Sequence, residues 1–215
     1  GRIRDAFADI LFPGISTLQK RVKYFSLMPQ VYRRAVERGP YENIGEIRKE
    51  VIRLEIEMTR RLYQNSPEDD RNGITGSTKK QGFVKYDPAY IYHTGLLKYG
   101  ILLDGDVYRA IYWASRAIHE QPRAFRSGDE NSNDDASEKT GMIQFCEFPK
   151  VDYDFLKDGP DKFTINLTAE DKSFILEHMK AGSRGSLLNF LLDNVDKPNF
   201  VVPEYFRDID CLKKN

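Results

Sequence analysis

Cysteine is nearly missing from this sequence. Cys146 and Cys211 are the two present, too few for a disulfide framework and without the spacing of a metal site. Both are expected as buried thiols in a reducing, cytoplasmic setting. Long apolar runs are missing too. No stretch reaches the roughly 18 consecutive apolar residues of a membrane-spanning helix, and the first residues lack the basic, apolar and small-residue succession of a secretory leader. The chain instead opens on Gly1 with an amphipathic pattern already under way, as a piece of a longer protein or a processed product would. Net charge is the third thing lacking, since 33 basic side chains face 33 acidic ones. They are unevenly placed. Residues 1–126 hold 22 Lys and Arg against 15 Asp and Glu, and the remainder holds 11 against 18. A half at +7 and a half at −7 are expected to neutralise each other in the fold, with nucleic acid or an acidic partner as the alternative target of the basic half.

What is present is helical period. In "RIRDAFADILF" the apolar residues Ile3, Ala6, Phe7, Ile10 and Leu11 fall on one face of a helix that Pro13 and Gly14 end. Such a face is expected to pack on a neighbour. Ser16 can cap a second helix with Leu18, Val22, Phe25, Met28, Tyr32, Ala35 and Val36 as its stripe, kinked at Pro29 and stopped at Gly39-Pro40. Asn43 with Glu46 three residues on announces a third, whose core stripe is Ile47, Val51, Leu54, Met58 and Leu62. In "YDPAYIYHTGLLKYGI" Asp87 is the cap, Pro88 the first-turn residue and Gly100 the stop. A helix from about Asp106 to Glu120 follows, with Val107, Ala110, Ile111, Ala114 and Ile118 on one side.

The acidic stretch Ser127 to Thr140 has Ala136 as its one apolar residue and is expected as a mobile insertion. Beyond it, "MIQFCEF" and "FTINL" read as short strands, as does "FVKY" earlier. Thr168 with Asp171 then caps a helix to about Lys180, and "GSLLNFLLDN" makes another. The expected architecture is therefore mainly α, an irregular helical domain with a small β-hairpin or short sheet. It divides into a basic helical part (1–126), the insertion (127–140) and an acidic α+β part (141–215) packed on the first as one domain.

Four patterns invite a chemical reading. "NGITGSTKKQG" has the composition of a phosphate loop, but Thr78 stands where the second glycine is needed and no strand leads directly into a helix there. An exposed loop is the preferred reading, with Lys79 and Lys80 left as contacts for a phosphate backbone. Asp161, Glu170 and Lys172 reproduce the residue types of a Mg²⁺-dependent nuclease, in which two carboxylates hold the metal and the lysine steadies developing charge. Glu170 and Lys172 fall in the first turn of a capped helix, however, so helix capping takes precedence over catalysis. Asp129, Asn131, Asn133 and Asp135 alternate as calcium ligands do, yet Asp134 replaces the required glycine and Thr140 the closing glutamate. His93, His119 and His178 lie on separate predicted helices with no further ligand nearby, and no Gly-x-Ser-x-Gly elbow occurs. No cofactor or metal is implied.

The remaining feature is basic. Projected on the second helix, Lys20, Lys23, Arg34 and Arg38 share the face opposite its apolar stripe, which suits contact with a nucleic-acid backbone as well as plain solvation. "IRDAFADILFPGISTLQKRVKYF", "DPAYIYHTGLLKYGI" and "FTINLTAEDKSFI" followed by "GSLLNFLLD" resemble a bacterial family of unknown function that opens on a similar Arg-Asp-Ala-Phe-Ala-Asp…Phe-Pro-Gly-x-Ser segment. The likeness spans most of the chain outside the acidic stretch, although the relatives carry additional residues before the first matched helix. It lends no catalytic residue. Proximity of such relatives to restriction and phage-defence genes implies nucleic acid, or partner proteins of a defence complex, as the partner. The function expected is thus a non-catalytic interaction or nucleic-acid-associated domain, with the nuclease as the alternative.

Overall fold

The apolar residues between Tyr24 and Val36 are too dense for a helix with one wet face, and they become the centre of the protein. The structure is a computed structural model that describes residues 2–76, 84–120, 144–153, 155 and 163–197. Among these residues are seven α-helices and one short 3-10 turn, Glu68–Asp70. The helices are α1 (Arg2–Leu11), α2 (Tyr24–Arg38), α3 (Ile44–Asn65), α4 (Pro88–Lys98), α5 (Val107–Glu120), α6 (Ala169–Gly182) and α7 (Leu187–Asn194). Eleven of the fifteen residues of α2 are buried, so it is covered around most of its circumference. The covering is supplied by α3, α4, α5 and α6, while α7 packs on α6. One hydrophobic cluster extends from Tyr24 on α2 to Leu188 on α7.

The predicted helix starts rest on local hydrogen bonds that the structure reproduces. Asn43 Oδ1 accepts from Glu46 N at 3.1 Å and Asp87 Oδ1 accepts from Tyr90 N at 2.8 Å. Thr168 and Asp171 form a reciprocal capping box on α6. Gly100 ends α4 with φ +65°, a left-handed conformation that side chains disfavour. The predicted stripes of α3 and α5 are the faces that enter the core.

Three expectations are corrected. The second helix begins at Tyr24, not near Ser16. Gln19 intervenes: its side chain accepts from Ser16 N and donates to the carbonyls of Gly14 and Ile91, folding residues 16–23 into turns that leave Leu18 and Val22 exposed. The helix α1 forms, but Phe7 (61% exposed) and Ile10 (67%) face outward. The small hairpin or sheet is not supported. The described residues contain an isolated antiparallel bridge, Leu102 with Cys146, and no strand. In "FTINL" the alternation does bury Phe163 and Ile165, yet side chains take the backbone groups that a ladder would use. Ile165 N donates to Ser66 Oγ, Phe163 O accepts from Asn65 Nδ2, and Asn166 O accepts from Lys23 Nζ. "FVKY" is bend and coil from Val84 onward. The acidic stretch 127–140 lies outside the described residues.

Candidate functional site

Polar side chains gather in two buried places, and the first is structural. Lys23 is 1% exposed and its Nζ lies 3.1 Å from Asp171 Oδ2. Ser26 Oγ donates to Asp171 Oδ1 at 2.5 Å, and Tyr153 Oη and Thr168 N donate to Oδ2 at 2.7 and 3.1 Å. Lys23 also donates to the Asn166 carbonyl and lies over the Tyr153 ring. Burial alone would raise the Asp171 carboxyl, but these hydrogen bonds and the Lys23 charge together hold it below the ordinary value. Both carboxylate oxygens are engaged. The network fastens α2 to the start of α6.

The second place opens to solvent. A cleft of about 610 Å³ lies between residues 14–19, the N-terminal half of α4 and the start of α5, with Tyr32 of α2 and Arg48 of α3 completing the wall. That is a volume typical of small-molecule sites. Two close contacts hold its walls in place. Gly95 has no Cβ, and one placed there would come within 2.7 Å of both the Gly14 carbonyl and the Phe25 ring. Tyr99 Oη donates to the Pro13 carbonyl at 2.7 Å, and Gln19 joins the same turn to α4. The caps of both helices, Asp87 for α4 and Asp106 for α5, therefore line one opening.

At the inner wall, hydrogen bonding is incomplete. Tyr32 is fully buried, lines the cleft, and its hydroxyl has no partner among the described residues. Glu55 stands behind the wall: Oε1 accepts from Ala89 N at 2.7 Å, and Oε2 has no partner among the described residues. An unpaired buried polar group costs about 1–3 kcal/mol. Burial pushes the Tyr32 phenol well up, and Glu55, Tyr108, Cys146 and Asp87 add to the effect. Burial likewise raises Glu55 well above the usual carboxylate range, assisted by Asp87 and opposed by the Ala89 N–H. Tyr108 is pushed up to about 12 by burial and by Asp87 and Glu55, with Arg48 opposing. Burial thus favours the neutral form of each of these groups.

The predicted site residues are placed differently. Lys20 is exposed, but Lys23 belongs to the buried network and to no surface patch, because the helix begins one residue later and turns its end inward. Arg34 pairs with Glu37 and Asp152, and Arg38 with Glu50. Glu170 is exposed in the first turn of α6, and Lys172 lies 3.7 Å from Asp196. Asp161, Lys79 and Lys80 lie outside the described residues, as does Cys211. Cys146 is buried, and burial pushes its thiol up. His178 Nδ1 donates to the Tyr99 carbonyl at 3.1 Å and the ring lies tilted against Phe174, so it packs α6 against the end of α4. Sequence reasoning read Tyr32 only as part of the apolar stripe of the second helix and overlooked Glu55 and Tyr108. Glu55 had a readable signal: a carboxylate four residues after Val51 and three before Met58, inside the apolar stripe of α3.

The family model described as a family of unknown function, DUF6361, matches residues 1–108. No curated protein and no solved structure matches.

Proposed function

We propose, for a chain that belongs to the family of unknown function DUF6361, that it is a non-catalytic ligand-binding domain whose working surface is the cleft at the start of α4. The matched span, residues 1–108, contains the side chains that line this cleft, among them Tyr32, Arg48 and Asp87. One observation carries the reading. Tyr32 lines the cleft, and its fully buried hydroxyl has no partner among the described residues. A phenylalanine there would spare the protein the cost of that hydroxyl, so a group bound in the cleft gives the oxygen a purpose.

The nucleic-acid reading through Lys20, Arg34, Arg38, Lys79 and Lys80 rests on charge, and the two arginines are matched by acids within the protein. A nuclease would need Asp161 to meet Glu170 and Lys172. The last two are two residues apart on α6, about 200° around its axis. Neither reading has a feature comparable to the Tyr32 hydroxyl. The test uses Thr94, an exposed cleft residue on α4. Fragments of mixed charge, screened by protein-observed NMR, are expected to shift the amides of Ala89, Thr94 and Val107 in the wild type and to lose this effect in Thr94→Trp. Hits that leave those amides unmoved, or that persist unchanged in the variant, would place binding elsewhere.

A further inference from the structure

We propose that a groove between the start of α3 and the first half of α5 binds a second copy of this chain, in a two-fold dimer where Arg109 of each copy pairs with Glu42 of the other. The groove measures about 600 Å³, shares no lining residue with the cleft, and has Ile44, Tyr112 and Trp113 as its apolar part. Trp113 is 53% exposed and Ile44 46%. Both stand off the faces that their helices bury, which run from Ile47 on α3 and through Ala110, Ile111 and Ala114 on α5. Core packing therefore does not account for an indole at that position. Tyr112 meets the indole edge to face, with ring centroids 5.2 Å apart, and the Arg116 guanidinium lies over the other ring. The exposed aromatic surface is thus oriented before any partner arrives, which lowers the entropic cost of covering it.

Charge identifies the occupant. The lining holds one acid, Glu42, and one base, Arg109. Each is anchored through its backbone, Glu42 N donating to Glu46 Oε2 and Arg109 N to Asp106 Oδ1. Among the described residues neither side-chain charge has a partner, and the two do not pair with each other. A groove of one sign would call for a foreign partner of the opposite sign. This groove carries one charge of each sign on two elements, so its own copy is the match: a two-fold rotation sets each cation against the other copy's anion, twice per dimer. Tryptophan, tyrosine and arginine are also the side chains that dominate interface energies. Seven lining residues fall short of the roughly 20–30 a side of a standard interface, so the dimer is expected to be weak, with a dissociation constant of about 10–100 μM.

The experiment is sedimentation velocity of the full chain near neutral pH, from about tenfold below to tenfold above that constant. The wild type is expected to pass from monomer to dimer across this range, and to do so less readily at high salt. Trp113→Ala, at an exposed position, should weaken dimerisation at least about tenfold while melting stays cooperative. Arg109→Glu and Glu42→Arg should each remain monomeric alone, because each sets like charges together. Mixed in equal amounts they should dimerise about as well as the wild type, since one copy then offers two acids and the other two bases. That recovery distinguishes a reciprocal pair from a merely disturbed surface. A wild type that stays monomeric throughout overturns the proposal and leaves the groove to a different partner. A dimer that survives Trp113→Ala and both charge reversals overturns it as well, and places self-association on another face. Charge variants that stay monomeric when mixed overturn the pairing of Arg109 with Glu42.

Discussion

Glu55 is the residue whose environment departs furthest from what its chemistry prefers. It is fully buried, with one oxygen on Ala89 N and the other unpartnered among the described residues. Its folded value is raised well above the ordinary 4.5, and the sign follows from proton counting. Between the ordinary and the raised value the folded chain holds a proton that the unfolded chain has lost, so stability falls as pH rises through that window. The neutral carboxyl's contribution is complete below about 4.5 and lost above the raised value. Glu55→Gln should therefore gain on the wild type in urea denaturation as the pH is taken from 5 to 8. A difference that stays flat with pH would mean that Glu55 is ionised in the fold. Asp171 is the opposite case, a buried carboxylate with every oxygen satisfied. Removing one member of such a buried pair strands the other, here Lys23, at a cost of about 3–5 kcal/mol. Both residues were half legible in advance. Asp171 announced itself as a cap, and Glu55 as a charge in an apolar stripe, but the partners that give each its character come from α2 and α4, more than 30 residues away.

Among the elements, α4 decides where the cleft lies. Its N-terminus brings the Asp87 cap and the Ala89 N–H to Glu55, and its middle carries Gly95 against the Pro13-Gly14 turn and α2. In an exposed helix, replacing glycine by alanine would help by about 0.5–1 kcal/mol. Here the new methyl meets a carbonyl oxygen and an aromatic ring, both at 2.7 Å, and overpacking of that kind costs about 1–3 kcal/mol. Gly95→Ala is thus expected to lower the midpoint of chemical unfolding despite its better helix propensity; a raised midpoint would show that the turn and Phe25 give way easily. The helix itself was written in the sequence at both ends. Its central glycine was not interpretable there, because what forbids a Cβ is the approach of residues 14 and 25. The same holds for α2, whose periodic residues Leu18 and Val22 looked helical until Gln19 bonded to Gly14 and Ile91 and folded the segment into turns.

For the whole molecule, the hydrophobic cluster joins α2 through α5 to Phe155, Phe163, Ile175 and Met179. Our expectation that the acidic C-terminal part packs on the basic part as one domain then has a direct consequence. Trp113, the single tryptophan, stands on α5, so its fluorescence reports the N-terminal part, whereas far-UV circular dichroism reports all helices including α6 and α7. Unfolding curves from the two signals should coincide within error; a separate transition in the dichroism alone would divide the chain into two units. The sequence by itself determined the helices α3 to α7, the caps of α3, α4 and α6 and the faces that α3 and α5 bury, because spacing and capping act within a few residues. Only the tertiary structure decided that Lys23 is buried, that "FTINL" binds side chains instead of a strand, that Glu55 meets the Ala89 N–H, and that Tyr32 and Asp87 line one cleft. Those outcomes depend on which distant groups reach a backbone amide or a carboxylate first, and no local pattern records that competition.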